Sequence, residues 1–120
     1  MEPTPKKHID LTYLKELSNG SNEFICQMIT VFSEQTPDAL NKMEKYLNAK
    51  DWKSLHAIAH KIKASFSFMG IKELENVISL VEEYCYNETN IDELPAMVSK
   101  IKNICTLALE ELEIEKALFL

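Results

Sequence analysis

Apolar residues along this chain return every three or four positions and nowhere alternate, which commits it to helices and excludes a half-buried sheet. Trp52, Leu55, Ala59, Ile62 and Phe66 form one such stripe. Ile71, Leu74, Ile78, Val81 and Cys85 form a second, and Met97, Ile101, Ile104 and Ala108 a third. An earlier segment carries Phe24, Ile25, Met28, Val31 and Phe32, then Leu40, Met43 and Leu47. Two glycines and four prolines in 120 residues leave few places to turn. The expected architecture is all-α, an antiparallel four-helix bundle in one domain with a short additional N-terminal helix across one end or side. Trp52, Phe66, Phe24 and Phe32 are expected to supply much of the core, each worth about 1.5–3 kcal/mol when fully buried.

Turn and capping residues divide the chain. Residues 1–9 read as a polar lead-in and 10–120 as the domain. Asp10 is the expected N-cap of a first helix reaching about Ser18, with Gly20 closing it in a left-handed conformation. Ser21 or Asn22 opens the second helix, and Thr36-Pro37-Asp38 reads as a kink or a fresh start within it. Asp51 opens a third helix that stops near Met69 at Gly70. Asp92 is the expected cap of the last helix, where Pro95 falls in a first turn that needs no N–H from it.

The net charge of −6 argues against a general role on nucleic acid, and every one of the thirteen basic residues is a lysine. The distribution is uneven. From Trp52 to Lys72 there are four lysines and no acid, whereas from Glu73 onward eleven acids face three lysines, a basic island that suits an acidic partner. Cys26, Cys85 and Cys105 form no CxxC pair and lie among apolar positions, so they read as buried thiols of a reducing compartment. The proline-bearing polar start is no signal peptide, and no apolar run reaches membrane length. A cytoplasmic protein, off the membrane and monomeric, is the expectation.

The third helix holds the most informative residues. Lys53, His56, His60, Lys63 and Ser67 share the face opposite its apolar stripe. Around the helix axis His56 lies about 40° from His60, Lys63 about 60° and Ser67 about 20°. His60 should therefore meet water, with small Ala64 one turn away and amines on its own face. A free imidazole is largely neutral at pH 7 and is a nucleophile without a dedicated base. Phosphoryl transfer needs in-line positioning and neutralised oxygens, to which Lys63 adds charge. The chain has no Gly-rich phosphate loop, no acid cluster for Mg²⁺ and no kinase signature, so it should not generate phosphoryl groups itself.

His60-Lys61-Ile62-Lys63-Ala64-Ser65, with Gly70 ten residues beyond the histidine, resembles the motif of histidine-containing phosphotransfer (HPt) domains. The resemblance covers roughly residues 10 to 115 and departs at Ala64, where the family usually has glycine. It implies a four-helix bundle in which His60 accepts the phosphoryl group, commonly on the ring nitrogen farther from the backbone. By the same resemblance Lys63 pairs with the phosphate oxygens, Ala64 and Ser65 allow close approach of a partner, and Gly70 is the motif glycine. It further implies a phosphocarrier, with no kinase or phosphatase site, that serves response-regulator receiver domains or a hybrid sensor kinase. It needs no cofactor of its own, the Mg²⁺ coming from the receiver.

Around this core stand secondary expectations. His56 and Ser67 read as rim residues, and Glu82 or Glu83 as either an orienting acid for His60 or an ordinary surface acid. Leu11, Leu14 and Leu17 form either a docking face or simple packing. The polar lead-in and acidic tail read as a free protein. An adaptor bundle with an incidental His60, or a metal-binding bundle using His56 and His60, would be the competing functions.

Overall fold

The computed structural model describes residues 8–119. Five α-helices follow one another: α1 Thr12–Ser18, α2 Asn22–Asn48, α3 Trp52–Phe68, α4 Lys72–Asn87 and α5 Leu94–Phe119, with a 3₁₀ turn at Ile91–Glu93 leading into the last. The long helices pack as a ring: α2 on α3, α3 on α4, α4 on α5 and α5 back on α2, while α1 lies against α2. This is the expected four-helix bundle with a short added helix. At 1.5 Å per residue α2 spans about 40 Å, close to the 43 Å long axis of the molecule.

Local chemistry sets most of the boundaries. Ser21 Oγ accepts the Phe24 N–H and Asp51 accepts the Ser54 N–H, the two expected caps of α2 and α3. Those hydrogen bonds from Ser54 hold the Asp51 carboxyl below its usual range. At α1 Leu11 takes the N-cap position, while Asp10 accepts hydrogen bonds from the backbone and hydroxyl of Thr12. The left-handed closure of α1 falls on Asn19, with Gly20 following it at φ +83°. Asp92 is not the cap of the last helix, because it lies within the 3₁₀ turn and α5 begins at Leu94.

Two expectations fail for physical reasons. Of the kink or fresh start expected at Pro37, the fresh start does not occur: the second helix runs from Asn22 to Asn48 through the proline. A proline inside a helix costs about 3 kcal/mol. Phe32, Ala39, Leu40 and Met43 are buried on both sides of it, and several side chains at about 1.5–3 kcal/mol each outweigh that cost. Phe24 is not in the core. It is 37% exposed and shares an outward face with Val31, seven residues on, while Ile25, Ile29 and Phe32 turn inward. The segment is apolar around too wide an arc for spacing alone to choose the buried side. Trp52 packs only partly against the core edge, whereas Phe66 is fully buried.

The expected lead-in contributes to the domain at its end; residues 1–7 lie outside the described residues. Ile9 is buried, the backbone N–H groups of His8 and Ile9 donate to Glu111 of α5, and the His8 ring meets the Glu73 carboxylate of α4. Asp10 N–H donates to the Met69 carbonyl at 3.0 Å. This segment crosses directly over Gly70, where φ is +64° and an added Cβ would collide with the Asp10 carbonyl. The glycine is therefore demanded twice, by the left-handed backbone and by the chain laid across it.

Cys85 and Cys105 are buried, and burial pushes their thiols up to about 11 and about 12. Cys26 is only partly buried. Among the described residues no helix is long and apolar enough to cross a membrane, and no three His, Cys, Asp or Glu side chains converge as metal ligands.

Candidate functional site

Ala59 and Ile62 bury the inner face of α3, and that carries the intervening His60 outward with its side chain 74% exposed. Ala64, one turn on, is exposed beside it, and Lys63 is about half exposed. The expectation of amines with no acid near the imidazole holds on α3 alone. The neighbouring helix α4 inserts Glu82, whose side chain is only 14% exposed. Its Oε2 lies 3.2 Å from His60 Nδ1, and its Oε1 lies 3.6 Å from Lys63 Nζ without a hydrogen bond of its own. Glu82, not the exposed Glu83, is thus the acid at the site.

A carboxylate only accepts, so His60 Nδ1 carries the hydrogen in this contact. The neutral ring then has its lone pair on Nε2, turned away from Glu82 toward solvent. Desolvation and partner together define the arrangement: an acid mostly withdrawn from water beneath an imidazole that is mostly in it.

His56 is more than a rim residue in position. It is partly buried, and its Nδ1 lies 3.0 Å from the backbone carbonyl of the same Glu82. Its ring stacks on that of His60, with centroids 6.4 Å apart and planes 11° from parallel. Tyr86 of α4 also lies against the His56 ring, with centroids 5.9 Å apart and planes tilted by 45°. Ser67, two turns beyond His60, is exposed and lines a hollow with Asp10, Thr12, Tyr13, Gly70 and Lys72. Ser65 faces away from His60, into a groove between α2 and α3 that Lys61, Ile58 and Phe68 also line. The basic island is partly neutralised from outside α3, Lys63 by Glu82 of α4 and Lys72 by Asp10 of the N-terminal segment at 3.7 Å. At α1 the N-cap Leu11 and Leu14 are buried, leaving Leu17 and Tyr13 about half exposed, the latter stacked on Phe68.

Glu82 and Tyr86 belong to a second helix, so no spacing within α3 could reveal them. The signal available was the hairpin itself. Gly70 turns α3 into α4, and His60 and Glu82 stand nearly equal distances before and after it, as antiparallel neighbours must.

The model of the Hpt domain family matches residues 27–115. The phosphorelay intermediate protein rdeA of Dictyostelium discoideum is 33% identical over 90 residues, which cover 72% of this chain and 34% of that protein. The chain thus spans about a third of the length of this curated relative. Among solved structures, the histidine-containing phosphotransfer protein B (HptB) of Pseudomonas aeruginosa PAO1 superposes with a TM-score of 0.82 at 20% identity, covering 96% of this chain and 97% of that one. That likeness establishes the shared fold. With the family model covering most of the bundle and the exposed histidine where the motif requires it, the chain belongs to the Hpt domain family.

Proposed function

We propose that this domain is the histidine phosphotransfer module of a two-component phosphorelay, taking a phosphoryl group on His60 from a receiver-domain aspartyl phosphate and passing it to another receiver. The observation that carries the reading is the His60–Glu82 pair. It holds the proton on Nδ1 and leaves Nε2 as an exposed lone pair facing any docking protein.

In the forward step Nε2 attacks the phosphorus of the acyl phosphate. The P–O bond to the aspartyl carboxylate breaks, the P–N bond to Nε2 forms, and the receiver's carboxylate leaves with the electron pair. The ring gains positive charge while its proton stays on Nδ1, where Glu82 offsets it. Lys63, one turn away and half exposed, exchanges its contact with Glu82 for the phosphoryl oxygens. Ala64 keeps the approach to Nε2 clear except for one methyl. Both bonds are energetic, so the exchange runs in either direction.

The domain acts as a phosphocarrier and not a kinase; the acidic pocket and its Mg²⁺ belong to the receiver, whether free or fused to a hybrid sensor kinase. We place it in the cytoplasm as a monomer, in keeping with two buried, protonated thiols. Incubation with a phosphorylated receiver and Mg²⁺ tests the proposal. An acid-labile label on the wild type that is absent from His60→Gln is expected. No label on the wild type, or an unchanged one on the variant, defeats it.

A further inference from the structure

Glu82 is held at two points by two histidines. His60 takes its carboxylate, whereas His56 takes its main-chain carbonyl at 3.0 Å. A carbonyl oxygen accepts and never donates, so His56 Nδ1 bears a hydrogen whether its ring is neutral or charged. The carbonyl of Glu82 lies within α4, where the helix already supplies its usual partner. The donation from His56 is therefore a second bond, serving as a clip between α3 and α4 at the level of Glu82. The His56 ring has two ring neighbours, His60 stacked nearly parallel to it and Tyr86 tilted against it.

We propose that His56 is a positioning residue for the phosphoryl acceptor: its clip to the Glu82 backbone sets the Glu82 carboxylate under His60 and thereby fixes the His60 tautomer. This rests on the phosphotransfer reading for its purpose, though not for its geometry. Glu82 Oε1 has no hydrogen bond and its Lys63 contact is long at 3.6 Å, so few other contacts hold the carboxylate in register. Buried Ile78, Val81 and Cys85 keep α4 seated without the clip, but the Glu82 carboxylate then loses the contact that aligns it locally with His60. The imidazole would then relax toward the tautomer with hydrogen on Nε2, which is the wrong nitrogen to leave protonated for attack.

Two variants separate the clip from bulk. His56→Leu is close in size and has no donor. His56→Asn places an amide N–H near the Nδ1 position and restores the bond. Long-range ¹H–¹⁵N correlation spectra of the unphosphorylated protein read the His60 tautomer, and labelling with phosphoramidate, a small P–N donor that loses ammonia, reads the acceptor without any receiver. In His56→Leu the Nδ1–H form of His60 should fall about fivefold relative to Nε2–H, the effect of one ordinary hydrogen bond, with labelling slowed only in proportion to the loss of the Nδ1–H population. His56→Asn should recover the tautomer. A His60 tautomer unchanged in His56→Leu, or lost equally in a folded His56→Asn, overturns the proposal. If His56→Leu fails to fold, His56→Ala, which also lacks a donor, takes its place with the same outcomes. A wild type that shows the Nδ1–H form yet takes no label from phosphoramidate or from a receiver would sink phosphotransfer and leave the clip standing.

Discussion

Replacing Glu82 with glutamine removes one charge and leaves a carbonyl able to accept the His60 Nδ1–H. The variant therefore isolates the electrostatic part of the proposed mechanism. At 3.2 Å a full charge on the ring and one on the carboxylate interact by about 1.3 kcal/mol in water and about 5 kcal/mol at an effective dielectric of 20. His60 is three-quarters exposed, so solvent screening puts the usable value near the lower limit, about 1.5 kcal/mol. The ring carries that charge only as the P–N bond forms, so the loss should fall on the transfer rate and amount to about tenfold. Rapid-quench measurement of transfer from a radiolabelled receiver, with and without the substitution, gives the rate at saturating receiver and the receiver concentration at half-saturation. The expected pattern is a tenfold slower transfer with half-saturation unchanged. Glu82→Ala, which also loses the acceptor, should be slower still. Rates within twofold of wild type in both variants would refute the role of the carboxylate.

Other expectations follow from the fold. Gly70→Ala should destabilise the domain by about 2 kcal/mol or more, combining left-handed strain with the collision against Asp10; a urea midpoint shifted by less than the equivalent of about 0.5 kcal/mol would contradict the crossing geometry. Pro37→Ala should stabilise α2 by about 1–2 kcal/mol, because it restores an N–H to the Ser33 carbonyl, and equilibrium melting would expose a neutral or harmful effect. Cys85 and Cys105 have their thiols raised in the fold, so their contribution is intact below the unfolded value of 9.0 and is lost as pH rises toward about 11 and 12. Stability measured by urea between pH 8 and 11 should accordingly fall, and a double Cys→Ala variant should fall less steeply.

How much the residues disclosed in advance varies by element. The stripes on the third and fourth helices named the buried side correctly because each is narrow, whereas on the fifth the buried row runs through Leu94, Val98, Ile101, Cys105, Ala108 and Leu112 and leaves the expected Met97 and Ile104 only partly buried, because that helix is apolar over a wider arc. The second helix misled at Phe24 because its apolar arc is broad, and at Pro37 because a local breaking signal met a long packed surface that outweighed it. His60 was legible as an exposed imidazole from α3 alone, since Ala59 and Ile62 define the inner face around it. Its acid was legible only as a choice between Glu82 and Glu83, since which of them faces α3 depends on how two helices seat against each other. Gly70 had two equally good readings, helix stop and motif glycine; its left-handed φ and the Asp10 carbonyl above it, reached only through the folded N-terminal segment, account for the first.

The most direct measurement is the position of the phosphorus on the phosphorylated domain, read as phosphorus–nitrogen coupling in a ¹⁵N-histidine-labelled sample after exposure to a receiver aspartyl phosphate. Coupling to Nε2 of His60, with Nδ1 still protonated against Glu82, is the predicted result. Phosphorus on His56 or on Nδ1 of His60, or none on any histidine, would contradict it.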